Sequence, residues 1–168
     1  MAAKKPNLKS LKKIKMLLLD IDGVLTDGRI LWIDGTGWTA MYSVLDGFGI
    51  RRMMKAGIQV GFISGGSFTS HKERAKILKI EHAYFGDENK IVPYEKIKSD
   101  TGFKDEEFAF IGDELFDIAI LEKVGFAATV PHAVQAVKKH ADYITKAPGG
   151  FGAAREVIEM ILAAQGKA

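Results

Sequence analysis

Short apolar runs recur along the chain at residues 16–21, 58–63, 82–85, 108–111, 126–128 and 143–144. Runs of this length, with little polar alternation, read as strands covered on both faces. Between them, residues 47–56, 67–78, 90–101, 117–123, 132–139 and 153–164 place apolar side chains at intervals of three and four, the spacing of amphipathic helices. Strand and helix thus alternate, which predicts an α/β fold: a doubly wound, mostly parallel sheet with right-handed crossovers. Ligands bind such sheets beyond the carboxyl ends of the strands, so chemistry is expected there.

One segment breaks the alternation. Residues 29–33 and 38–44 flank Asp34-Gly35-Thr36-Gly37, whose aspartate and glycines suit a turn, and the spacing predicts an inserted β-hairpin over 29–44. Its arms carry Ile30, Leu31, Trp32, Ile33, Trp38, Met41, Tyr42 and Val44, more apolar surface than a two-stranded ribbon leaves in water. A neighbouring subunit is the expected cover, with packing back onto its own sheet as the alternative.

Composition narrows the class. The chain has 168 residues, 47% of them hydrophobic and 27% charged, which fits one globular domain with a sizeable core. That domain is expected to span 13–168, after a basic arm at 1–12. There is no cysteine, which excludes disulfides, a thiolate metal site and a cysteine nucleophile. The four histidines, His71, His82, His132 and His140, show no metal-ligand spacing, so a metal is expected on oxygen.

The net charge of +3 is unevenly spread. Residues 1–15 hold six lysines and no acid, leaving 18 basic against 21 acidic residues elsewhere, a balance of −3. The arm reads as a solvated terminus, and no nucleic-acid partner is expected. The apolar run at 16–19 is cut by Asp20, too short for a signal-peptide core or a membrane span. No membrane partner is expected, and a cytoplasmic location is.

The candidate chemistry sits at the strand ends. The first strand closes in Asp20-Ile21-Asp22-Gly23-Val24-Leu25-Thr26, two carboxylates two residues apart at the ligand-binding edge. Such a pair is costly to bury without a cation, and magnesium is the natural choice for an oxygen site. The second strand closes in Ser64-Gly65-Gly66-Ser67 before a helix, a hydroxyl and backbone N–H groups arranged to cradle a phosphate. Lys90 opens the helix after the third strand, and Gly112-Asp113-Glu114-Leu115-Phe116-Asp117 follows the fourth.

These residues, Asp20-x-Asp22-Gly-x-Leu-Thr, Ser64, Lys90 and Gly112-Asp113-x-x-x-Asp117, resemble the four motifs of the haloacid dehalogenase superfamily of phosphatases. The resemblance extends to the capless branch of the 3-deoxy-D-manno-octulosonate 8-phosphate phosphatases through Asp46-Gly47-Phe48-Gly49-Ile50, Glu122-Lys123-Val124-Gly125, Ala141-Asp142-Tyr143-Ile144-Thr145 and Gly149-Gly150-x-Gly152-Ala153-x-Arg155-Glu156. It implies a Rossmann-like fold and magnesium-dependent hydrolysis of a phosphate monoester in lipopolysaccharide precursor synthesis. By the same resemblance, Asp20 is the nucleophile and Asp22 the general acid and base. Magnesium lies on Asp20, the Asp22 backbone carbonyl and Asp113. Ser64, Gly65 and Lys90 bind the phosphoryl group, and Asp117 orients Lys90. The branch forms tetramers in which a neighbour's hairpin partly caps the site, so a homotetramer is expected. Glu114 stands where many relatives carry aspartate. Ala40, Leu45, Gly66 and Phe151 are uncharged where relatives are commonly basic, which directs attention to a different sugar acid phosphate, such as a nononate 9-phosphate, or another small phosphate ester. A catalytically idle oligomeric binding module is the reading from another class. A signalling receiver domain is disfavoured, because residues 84–87 read Tyr-Phe-Gly-Asp where its phosphate-accepting aspartate should close the third strand.

Overall fold

Alternation of strand and helix carries through the computed structural model, which describes residues 8–168. A short helix α1 (Leu8–Leu11) leads into β1 (Met16–Leu19), the hairpin strands β2 (Leu31–Ile33) and β3 (Gly37–Thr39), and helix α2 (Val44–Lys55). There follow β4 (Gln59–Ser64), α3 (Thr69–Leu78), β5 (His82–Phe85), α4 (Ile91–Thr101) and β6 (Phe108–Ile111). The chain finishes with α5 (Ile118–Leu121), β7 (Phe126–Thr129), α6 (Gln135–Lys138), β8 (Tyr143–Ile144) and α7 (Ala153–Ala164). Six strands form one sheet in the order β5-β4-β1-β6-β7-β8, every pairing parallel. The chain runs outward from β1 through β4 and β5, then crosses back to β6 on β1's other side. This reversal opens a crevice at the carboxyl end of β1, the switch point at which doubly wound sheets bind ligands.

The unbroken hydrophobicity of the strands has a simple cause. Side chains alternate between faces, and both faces are covered. Leu17, Leu19, Val60, Phe62 and Ala109 pack with Ile50, Met53, Val157 and Ile161 from α2 and α7. Met16, Leu18, Ile63, Phe108 and Phe110 pack on the other side with Tyr94 and Ile97 from α4 and Ile120 and Leu121 from α5. Each fully buried Val, Leu, Ile, Phe or Met side chain among them stabilises the fold by about 1.5–3 kcal/mol relative to exposure.

The boundaries differ from expectation in physically legible ways. The second hairpin arm stops at Thr39, because Ser43 caps α2: its Oγ accepts from the N–H groups of Leu45 (3.2 Å) and Asp46 (3.4 Å). Helix therefore begins at Val44, three residues ahead of the apolar periodicity at Gly47. The predicted helix at 117–123 shortens to α5 because a 3₁₀ turn, Leu115–Asp117, precedes it. Of the basic arm, Lys4 and Lys5 lie outside the described residues, whereas Leu11 in α1 is buried and its carbonyl accepts from Gln165 Nε2 at 3.1 Å. Packing thus begins ahead of Lys13.

Trp32 and Trp38 face each other across the hairpin, edge to face at 5.2 Å, and both remain about half exposed. Leu31, Ile33, Met41 and Val44 are exposed beside them. Elsewhere the tail braces the loop after β1. The Gly150 N–H donates to the Val24 carbonyl at 3.0 Å. The buried Asp46 carboxylate accepts from the N–H groups of Gly152 (3.2 Å) and Arg155 (2.8 Å), placing a negative charge at the start of α7.

Candidate active site

Asp20 follows β1 directly and is buried at the crevice floor. Its Oδ1 accepts from the Ile21 N–H at 2.7 Å and lies 2.8 Å from Lys90 Nζ. Lys90, at the N-cap of α4, is also buried and donates to Asp117 Oδ1 at 2.7 Å. Asp117 uses its other oxygen, Oδ2, to accept from the N–H groups of Asp113 (2.9 Å) and Glu114 (3.0 Å), so it fixes both the ammonium and the loop after β6. The Phe116 ring lies 4.5 Å from the same ammonium. In the sequence Phe116 carries no signal of this contact beyond its place between the acids of the 113–117 segment.

Asp113 completes the floor. Gly23, at φ +87°, leaves room for the Asp113 carboxylate in the volume a Cβ at position 23 would occupy. One Asp113 oxygen, Oδ1, is buried without a hydrogen-bond partner. Carboxylate oxygens of Asp20, Asp113 and Asp117 lie within 4.8 Å of one another. An orphaned buried oxygen beside two more carboxylates is the donor set a hard divalent cation takes, and magnesium fits it. Asp117 spends both oxygens on Lys90 and two N–H groups, whereas Asp20 spends only Oδ1 and Asp113 Oδ1 has no partner, so Asp20 and Asp113 are the side chains that could hold the ion.

Thr26 sets the shape of the intervening loop: its Oγ1 accepts from the N–H groups of Gly23 (3.3 Å) and Gly28 (3.2 Å). Asp22 lies outside the carboxylate cluster, with its Oδ1 at 3.3 Å from Nε2 of the buried His71. Ser64 closes β4, and its Oγ accepts from the Gly66 N–H at 3.1 Å. Asp20, Asp22, Ser64, Gly65, Gly66, Asp113 and Glu114 line one open cleft of about 440 Å³, with Lys90 and Asp117 beneath its floor. Glu114 spends one oxygen capping the 3₁₀ turn, accepting from the Leu115 N–H at 2.7 Å. Of the four uncharged positions, Gly66 lines the cleft, while Leu45 and Phe151 are exposed away from its lining.

The crowding of acids shows in their protonation. Burial raises the Asp20 carboxyl to about 7, against the pull of the Lys90 ammonium and with the help of Asp117's charge. Burial, then the charges of Asp20 and Asp117, push Asp113 up to about 8. A cation needs both groups unprotonated, so its binding displaces protons. Magnesium affinity, measured by calorimetry, is expected to rise as pH goes from about 6 to about 9, with net proton release. The metal-free fold should show the opposite trend. Acids whose folded-state pKa is raised hold protons that the unfolded chain has lost, so stability falls as pH rises from about 4 toward about 8. Magnesium affinity that is flat across that range would remove Asp20 and Asp113 as ligands.

Comparison with known proteins bears on the family. Residues 84–154 match the haloacid dehalogenase-like hydrolase family. The 3-deoxy-D-manno-octulosonate 8-phosphate phosphatase of Escherichia coli (strain K12) is 36% identical over 156 residues, 93% of this chain and 83% of its own. The chain belongs to that phosphatase family. The Yersinia pestis family member superposes with a TM-score of 0.92 at 34% identity, over 95% of this chain and 86% of its own. The Moraxella catarrhalis member, solved in complex with a magnesium ion, a phosphate ion and a KDO molecule, gives 0.91 at 34% identity over 95% and 91%. Within the family frame, Asp46, Asp142 and Glu156 prove to be braces. Asp142 accepts from the Ala127 N–H at 3.0 Å, and Glu156 from the Tyr143 hydroxyl at 2.6 Å and the Ala147 N–H at 2.9 Å.

Proposed function

We propose that the protein is a magnesium-dependent phosphate monoester hydrolase acting on 3-deoxy-D-manno-octulosonate 8-phosphate, in lipopolysaccharide precursor synthesis. One observation carries the reading: a buried lysine wedged between Asp20 and Asp117, with Asp113 beside them, at the switch point of the sheet. Asp20 attacks phosphorus and forms an acyl phosphate as the bond from phosphorus to the sugar oxygen breaks. Asp22 gives that oxygen a proton, then takes one from the water that attacks the same phosphorus, releasing inorganic phosphate and restoring Asp20. Ser64, the Gly65 N–H and Lys90 hold the phosphoryl oxygens, and Asp117 keeps Lys90 in place. Asp20, the Asp22 backbone carbonyl and Asp113 would hold magnesium, which would supply the positive charge that lets an anionic nucleophile approach an anionic ester.

Uncharged Ala40, Leu45, Gly66 and Phe151 favour a second reading, in which the substrate is another sugar acid phosphate such as a nononate 9-phosphate. Each charge-assisted contact missing from a sugar-acid carboxylate removes about 1.5–3 kcal/mol, so two together lower kcat/KM about a hundredfold or more. Phosphate release with magnesium from the octulosonate ester, the nononate ester, hexose phosphates and p-nitrophenyl phosphate tests both. The octulosonate ester is expected to be hydrolysed, with a preference over hexose phosphates below about a thousandfold. A greater preference would show that other residues grip the sugar acid. No turnover of any ester would leave an idle binding module.

The proposal extends to a cytoplasmic homotetramer in which a neighbour's hairpin partly caps the cleft. The exposed Leu31, Trp32, Ile33 and Trp38 support the assembly, and light scattering from a monomer would remove it. No helix among the described residues is long and apolar enough to cross a membrane.

A further inference from the structure

His71 is fully buried in the first turn of α3, and nothing in the chemistry above uses it. Neither ring nitrogen makes a hydrogen bond of good geometry. Burying an imidazole with both nitrogens unpartnered is destabilising, and such a group calls for an explanation. Its ring is held between Phe68, at 4.8 Å, and Tyr42, at 6.4 Å, so it has little freedom to turn away. What its Nε2 faces, at 3.3 Å, is Asp22 Oδ1, itself buried and without a hydrogen bond.

The two orphans are therefore each other's neighbours, within hydrogen-bonding distance but not aligned for one. The other Asp22 oxygen, Oδ2, faces Gly66 on the cleft wall: a Cβ there would lie 2.7 Å from Oδ2 and 2.8 Å from His71 Cε1. The missing side chain at position 66 thus does two things at once. It admits the imidazole beside Asp22, and it leaves Oδ2 open to whatever occupies the cleft.

We propose that His71 is a positioning residue for Asp22: its Nε2–H donates to Oδ1 and fixes the carboxylate with Oδ2 turned toward the departing oxygen of the substrate. The inference rests on the reading of Asp22 as the general acid and base. Contacts of this kind are commonly long in the empty site and tighten around substrate. A neutral imidazole suffices, since only the donor is needed. Holding one carboxylate oxygen by a buried donor removes rotational freedom that the acid would otherwise lose in the transition state.

Leaving-group dependence tests this directly. An alkyl phosphate needs a proton on its departing oxygen, whereas p-nitrophenolate leaves without one. Because kcat/KM reports only steps up to formation of the acyl phosphate, the shared hydrolysis step drops out of the comparison. In the intact protein with magnesium, His71→Leu is expected to lower the ratio of kcat/KM for the fastest alkyl ester of the panel to that for p-nitrophenyl phosphate about 10- to 100-fold. His71→Gln, which keeps a donor of similar reach, should recover most of the ratio; His71→Asn, whose donor is too short, should not. If His71→Leu fails to fold, the Gln and Asn variants decide between them. Equal loss on both esters, or no loss on either, overturns the proposal and leaves His71 a packing residue. Asp22→Asn separates the two levels. If it lowers the ratio while His71→Leu does not, only the His71 role falls; if it leaves the ratio unchanged, the acid–base reading falls and the His71 role with it.

Discussion

Asp20→Asn is expected to fold normally and to hydrolyse no phosphate ester, a loss of at least about 10⁴-fold in kcat. The amide is a far weaker nucleophile, and it no longer balances the charge of the ion held with Asp113. The fold should tolerate the change. Asp20 is buried with its carboxyl already raised to about 7, so a neutral isostere relieves burial of a charge while Lys90 keeps its pairing with Asp117. The melting temperature should therefore shift little, and phosphate release should fall to the level of a blank lacking enzyme. Turnover near the parent rate, from protein freed of contaminating phosphatase, would sink the assignment of Asp20 as nucleophile.

Lys90→Met should instead strike stability as well as activity. Burial disfavours the Lys90 ammonium, yet the charges of Asp20 and Asp117 hold its pKa above the usual lysine range. Methionine fills similar volume but leaves the cluster of buried carboxylates without a counter-charge. Breaking a buried pair in this way destabilises by about 3–5 kcal/mol. For a chain of this size that is a fall of roughly 6–20 °C in melting temperature near neutral pH. Magnesium should restore part of it by replacing the missing positive charge, and mild acid should narrow the gap by protonating the carboxyls. A fall smaller than about 2 °C would show that Lys90 does not neutralise the cluster.

Much of the fold was legible because two-sided burial imprints itself on every strand. The runs at 82–85, 108–111 and 143–144 match β5, β6 and β8 residue for residue. The grouping of the candidate site residues was legible because Asp20, Ser64, Lys90 and Asp113 each lie at or just beyond the end of a strand or the start of a helix, and one parallel sheet edge gathers them. What local pattern did not reveal depends on contacts between distant segments. Ser43 reads as one more polar residue after the hairpin until its hydroxyl is seen capping α2. His71 reads as one residue of an amphipathic helix, 49 positions from the aspartate it faces. Asp46 and Glu156 sit in motif-like segments, which invites a chemical role, yet their carboxylates hold backbone amides together.

The brace between the tail and the loop after β1 bears on how the protein is made. A nascent chain extended only to Asp117 already contains every carboxylate assigned to the site. It lacks Gly150, whose amide holds the Val24 carbonyl, and it lacks the start of α7, on which Asp46 docks. The loop after β1 is thus translated early and braced late. During synthesis the acids therefore precede the segments that brace the loop and α2 around them, and a product broken off ahead of the tail is expected to release less phosphate than the whole chain.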